Sequence, residues 1–180
     1  SEMCIRDRFV LMFLLRGLPF VDLAYLRKSD LRDNVITYRR RKTGRPLSVT
    51  LTPEALELLK KYMNRDSHSP YLFSLLKSGE GTKEAYREYQ LALRSFNQQL
   101  TLLGEVLGLN DKLSSYTARH TWATTAYYCE IHPGIISEAM GHSSIKVTET
   151  YLKPFRNKKI DEANNQIIDF VKHSIAGVVS

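Results

Sequence analysis

The sequence predicts an α+β domain that is mainly α, a set of helices built around a small antiparallel β-hairpin or sheet. Three observations lead there. Tyr89, Leu93, Phe96, Leu100 and Leu103 step by four and three residues, the stripe of an amphipathic helix facing a core. Two runs rich in β-branched and aromatic residues, VITYR at 35–39 and PLSVTL at 46–51, flank RRKTGR, in which Gly44 supplies a turn. Elsewhere Pro and Gly punctuate apolar segments of helical length.

In chain order, a first helix is expected over about 5–16, broken by Gly17 and Pro19. FVDLAYLRK at 20–28 fits a second, short helix, with Phe20, Leu23, Ala24 and Leu26 as its apolar contacts. After the hairpin, Thr52 and Pro53 read as N-cap and first residue of a helix that carries Leu56, Leu59 and Met63 toward about residue 65. The turn-rich stretch 66–81 is expected to be a loop with a buried Tyr71–Phe73 anchor. The long helix starts at Thr82, and Gly104 and Gly108 weaken its end. Helices at about 116–129 and 133–140 follow, the second opened by Pro133 and closed by Gly141. A short helix holding Tyr151 and a terminal helix over about 157–173 complete one domain, 1–180, with no internal repeat.

A hydrophobic share of 43% and a charged share of 25% are ordinary for a globular chain. The net charge of +7 favours a polyanionic partner, because phosphate contacts release counterions. Cys4 and Cys129 have no metal-ligand spacing around them and read as reduced thiols of a cytoplasmic protein. The longest apolar run, Phe9 to Leu15, is too short to span a bilayer and lacks a following small-residue cleavage pattern, so no membrane partner is expected.

Four segments carry the chemistry. GHSSIKVTETYLK at 141–153 pairs Gly141 with His142 and places Tyr151 nine positions after that His. SSYTARHTWATTAYY at 114–128 sets Arg119 and His120 on a helix with Ala118, Trp122 and Ala123, a partly apolar face that pins a guanidinium. The hairpin tip gathers Arg39, Arg40, Arg41, Lys42 and Arg45. RGLPFVDLAYL at 16–26 is the fourth. Together, in this order and over nearly the whole chain, they resemble the boxes of the tyrosine recombinase (phage integrase) family.

That resemblance implies a catalytic core with Tyr151 as nucleophile, Arg119 and His142 at the phosphate, and Lys42 on the hairpin as general acid. It implies cleavage and rejoining of double-stranded DNA through a 3′-phosphotyrosine, without ATP, cofactor or metal. Arg39, Arg40, Arg41 and His120 are expected to contact DNA. Two positions depart from the pattern. Tyr116 stands where the family commonly has a His; a phenol can donate to phosphate but is a poor base at neutral pH. Pro19 stands where the first box commonly has its Arg, so another Arg must supply the charge. Arg45 and Arg16 are the candidates, Arg45 preferred because it brackets the Gly44 turn with Lys42.

The resemblance implies an N-terminal DNA-binding domain, expected to be missing from 1–180, and Ser1 to Arg8 are expected to be partly foreign sequence. Ile160, Ala163, Ile167, Phe170 and Val171 form an apolar stripe on the terminal helix. In relatives such a tail docks on a neighbouring protomer, giving a homotetramer on DNA; packing on its own domain is the equal alternative. Three rival functions remain: a catalytically impaired DNA-binding protein on the same fold, a type IB topoisomerase-like enzyme, and an unrelated basic helical interaction domain.

Overall fold

The computed structural model describes residues 3–152 and 157–176. Ser1, Glu2 and Lys153, which figure in the expectations above, lie outside them. Helix α1 (Ile5–Leu14) is capped by Cys4 and stops short of residue 16 because Arg16 and Gly17 both take left-handed backbone, φ 61° and 68°. Pro19 has no N–H to leave unpaired and stands as the N-cap of α2 (Phe20–Tyr25). That helix ends before residue 28 because tertiary pairing takes over. Leu72 N–H donates to the Leu26 carbonyl (2.7 Å), Lys28 N–H donates to that of Pro70 (2.9 Å), and Arg27 bridges to Tyr71.

The sheet has three strands in the order β1 (Leu31–Arg32), β2 (Val35–Arg39), β3 (Pro46–Thr50), all antiparallel. β2 pairs with β3 from Val35 opposite Thr50 to Arg39 opposite Pro46, the hairpin expected from the two β-branched runs. β1 was not foreseen. Asp33 and Asn34, both at positive φ (47° and 63°), form a two-residue turn that returns the chain against β2.

Helix α3 (Pro53–Tyr62) is capped by Thr52, and α4 (Lys83–Val106) by Thr82, whose hydroxyls accept from the amides of Ala55 (3.3 Å) and Ala85 (3.1 Å). Gly104 is buried two residues before the end of α4, and Leu113 packs over it, 3.5 Å from where a Cβ would stand. Helices α5 (Thr117–Tyr128), α6 (Pro133–Met140), α7 (Ile145–Glu149) and α8 (Asn157–Ala176) follow. Tyr151 sits in the turn just after α7 rather than in a helix, its amide donating to the Thr148 carbonyl at 3.0 Å.

The main core joins α1 to α4 with the sheet: Leu11, Met12, Phe20, Leu23, Ile36, Val49, Leu59, Phe96 and Leu100 are all buried. Phe20 and Phe96 stack at 5.0 Å, and burying each such side chain stabilises by about 1.5–3 kcal/mol. The expected Tyr71–Phe73 anchor is there, with the Tyr71 hydroxyl donating to the Ser78 carbonyl at 2.7 Å. A second, smaller cluster of Ala123, Ile136, Met140 and Tyr151 holds α5 to α6. The seam between these two clusters is where the candidate residues meet. Among the described residues no helix is long and apolar enough to cross a membrane.

Candidate active site

Arg119 lies on the inner face of α5 and is 1% exposed. Its Nη1 donates to the Gly17 carbonyl and its Nη2 to that of Met140, both at 2.8 Å. Gly17 is required for this approach: a Cβ there would come within 2.8 Å of the Arg119 Cα, and its φ is left-handed. The RGLP turn therefore seats one guanidinium by backbone alone.

The end of α6 seats the others. Gly141 closes that helix in left-handed conformation; its amide and that of His142 take the Glu138 and Ser137 carbonyls, leaving those of Met140 and Gly141 to accept from side chains. The Gly141 carbonyl accepts from Arg40 Nη1 at 3.0 Å and from the Thr43 hydroxyl at 3.1 Å, while the His142 carbonyl accepts from Arg45 Nη1. A Cβ at 141 would meet Leu47 at 2.9 Å and Arg40 at 3.2 Å, so the Gly of the Gly-His pair is demanded by the hairpin packed on it. The hairpin tip is thus fastened to the segment that carries His142.

His142 is 1% exposed, with Nδ1 2.8 Å from the Thr148 hydroxyl. Its ring stacks parallel to Tyr151, centroids 5.6 Å apart. Burial, then the charges of Arg119, Arg40 and Lys42, push the imidazole down to about 4, so it is neutral at physiological pH. The Tyr151 ring is 8% exposed and its hydroxyl donates to that of Tyr116 at 3.3 Å. Burial and the Tyr116 contact hold the Tyr151 phenol above its usual value, opposed by the Arg119 guanidinium. Tyr116 shifts the other way, because Tyr151 donates to it and Arg119, Lys42 and Arg40 stand near. His120 is exposed on the outer side, its ring 4.8 Å from that of Tyr151.

The basic tip divides. Lys42 is exposed at the turn with its charge reaching His142 and Tyr116. Arg39 is exposed and donates to the Gly44 carbonyl at 3.1 Å. Arg41 pairs with Glu80 at 2.6 Å and lies 3.8 Å over the Tyr25 ring, and Glu80 also holds Arg27. Arg40 is not a surface residue at all; it is 5% exposed. Arg16 lines a cavity with Trp122, Ile135 and Glu138. The sequence reading missed three partners: Asp22, Thr148 and Glu80. Asp22 had a signal, a carboxylate inside the apolar helix FVDLAY, and Thr148 had its place in the Thr-rich turn before Tyr151. Glu80, in a polar loop, had none.

Among the described residues, buried nitrogens without a hydrogen-bond partner include Nε of Arg40, Nε of Arg119 and Nε2 of His142. Such groups cost free energy when left dry. Arg40 Nε faces Asp22 Oδ2, itself buried and unpartnered, at 4.0 Å, whereas Arg119 Nε and His142 Nε2 beside Tyr151 are donors that an anion would satisfy.

Known proteins converge on the same segment. The family model described as "Phage integrase family" matches residues 1–158. The chain is 29% identical over 153 residues to Tyrosine recombinase XerA of Pyrococcus furiosus, covering 83% of this chain and 50% of that protein. It is 28% identical over 134 residues to Tyrosine recombinase XerC of Haemophilus ducreyi, covering 72% and 42%. The chain therefore spans about half the length of the curated relatives it matches. Among solved structures, the Tn1549 transposon integrase in complex with transposon right end DNA aligns with TM-score 0.65 at 15% identity, covering 90% of this chain and 58% of that one. The XerA recombinase crystal structure aligns with TM-score 0.60 at 20% identity, covering 90% and 56%. With the match running through Arg119, His142 and Tyr151 alike, the chain belongs to the phage integrase family.

Proposed function

We propose that this chain is the catalytic part of a site-specific DNA recombinase, which cuts and rejoins duplex DNA through a 3′-phosphotyrosine at Tyr151. The observation that carries the reading is the Tyr151 hydroxyl set in one seam with two buried guanidiniums and a buried neutral imidazole, of which Arg119 Nε and His142 Nε2 are donors suited to an anion. Family membership supports it, as do the recombinase relatives and the neighbouring integrase bound to transposon DNA.

The Tyr151 oxygen attacks the scissile phosphorus, and the bond to the 5′ oxygen breaks. A free phenol, with a pKa of about 10, is ionised to roughly one part in a thousand at neutral pH. Its proton leaves along the hydrogen bond to Tyr116, which is half-exposed and passes it to water. Arg119 stabilises the charge that gathers on the non-bridging oxygens, where a planar fork serves better than a point charge. His142, neutral, with Nδ1 against Thr148, offers Nε2–H to the same oxygens. Lys42 protonates the departing 5′ oxygen, general acid work worth about 10²–10⁴-fold. The product is a 3′-phosphotyrosine and a 5′ hydroxyl. Attack by another strand's hydroxyl reverses the step without ATP, and the residues named do the chemistry without a metal.

In this reading the protein acts in the cytoplasm, and α8 links protomers into a homotetramer on DNA. The exposed Ile167, Phe170 and Val171 support the second point. The test uses nicked duplexes of randomised sequence, whose cleaved end diffuses away and traps the intermediate. An SDS-resistant adduct should form, and Tyr151→Phe should abolish it with DNA affinity nearly unchanged. No adduct at saturating DNA, or one that survives Tyr151→Phe, refutes the assignment.

A further inference from the structure

Arg119 is not alone in the seam. We propose that Arg40 is a catalytic residue, the second guanidinium on the scissile phosphate, supplied by the end of β2 where the family's first box has Pro19 instead of an arginine. The proposal rests on the phosphotyrosine reading above.

Burial is the first argument. Arg40 is 5% exposed and Arg119 1%, and long cations are buried only when something balances them. The carboxylate that faces both is Asp22, 2% exposed, with its Oδ2 4.0 Å from Arg40 Nε. Two guanidiniums against one carboxylate leave one positive charge in excess. A phosphodiester balances it, and the more highly charged phosphorane of the transition state is held more tightly still, which is what raises a rate.

Geometry is the second. Arg119 Nη2 and Arg40 Nη1 donate to the carbonyls of Met140 and Gly141, consecutive residues, so the two guanidiniums are held side by side at one helix end. On its other edge Arg40 faces Asp22, and Asp22 Oδ1 also accepts the amide of Arg41 at 2.9 Å, which fixes the backbone directly after Arg40. Asp22 is thus a positioning residue. The box that lacks its arginine provides the carboxylate that orients one from the neighbouring strand. With Nη1 donating to Gly141 and Nε turned toward Asp22, the remaining Nη hydrogens of Arg40 are the ones that fork onto a ligand.

Comparison with the other arginines is the third. The charges that act on His142 are those of Arg119, Arg40 and Lys42, and the same three act on Tyr116. Arg45, the residue preferred from sequence, is only half-buried and is not among the charges that act on His142 or Tyr116. Arg16 lines its own cavity beside Trp122.

The experiment is single-turnover cleavage at saturating DNA, on a duplex selected from the nicked pool, by the parent chain, Arg40→Ala and Arg40→Gln. Gln keeps a donor toward Gly141 and serves if Ala does not fold. Each protein is also given the same duplex with a neutral methylphosphonate at the scissile position. On the phosphate, both variants should cut about 10²–10³-fold more slowly, as for other lost transition-state donors. On the methylphosphonate, they should cut within a few-fold of the parent, because no non-bridging charge is left to balance. Parent-like rates on the phosphate overturn the proposal, and so does an equal loss on both substrates, which is the mark of a structural role. A parent chain that forms no adduct refutes the phosphotyrosine reading itself, a different outcome from either.

Discussion

His142 shows how position decides what a side chain can do. An exposed imidazole titrates near neutrality, but this one is buried beside three cations and drops to about 4. Its stability linkage follows from that. Between about pH 4 and 6.5 the unfolded chain binds a proton that the folded chain refuses, so this group's contribution is complete above pH 6.5 and lost as pH falls toward 4. Urea unfolding of the parent should show stability rising with pH across that window, and His142→Gln should flatten the slope. An unchanged slope would mean that His142 is solvated and free to charge. That Tyr151, His142 and Arg119 belong together was expected from the segments that carry the family resemblance, of which a Gly-His pair nine positions before a Tyr is the most specific, and the structure brings the three to one seam. The burial of Arg40 was not legible. In a run of three arginines nothing local distinguishes the one that turns inward, and only strand alternation measured against α6 does so.

The hairpin is the element that sequence and structure describe most differently. Its strands fall where the β-branched runs place them, yet its basic tip is three things rather than one. Arg40 is interior, Arg41 is held by Glu80, and Arg39 has no carboxylate partner among the described residues. Only a charge not already compensated releases counterions in full when DNA binds. Arg39→Ala should therefore lower the log–log salt slope of duplex binding by about 0.9, and Arg41→Ala by clearly less. Equal effects from the two would show that the Glu80 pair opens on DNA. Helix ends were the other weak point. α1, α2 and α3 each stop two or three residues before the periodicity does, because left-handed turns and pairing with residues 70–72 override local preference. β1 escaped notice because two residues carry no pattern, although Asp33-Asn34 was a turn signal.

At the scale of the molecule, the site is a seam between two hydrophobic clusters, so neither cluster alone holds it. Arg119 ties α5 to the RGLP turn and to α6, and the hairpin locks onto the same helix end. The net charge of +7 suits a DNA-facing surface, and the exposed apolar face of α8 suits a partner protomer. Replacing Phe170 and Ile167 with Asp should lower the order of the protein–DNA assembly in sedimentation while leaving adduct formation by single protomers intact. An assembly of unchanged size would place the contact elsewhere.

If one phenol carries the DNA, two are candidates for it, because the Tyr151 and Tyr116 hydroxyls lie 3.3 Å apart. The direct measurement is mass spectrometry of the trapped adduct after protease and nuclease digestion. A nucleotide phosphate is expected on the peptide that contains Tyr151. A nucleotide on the peptide that contains Tyr116, or on neither, would contradict it.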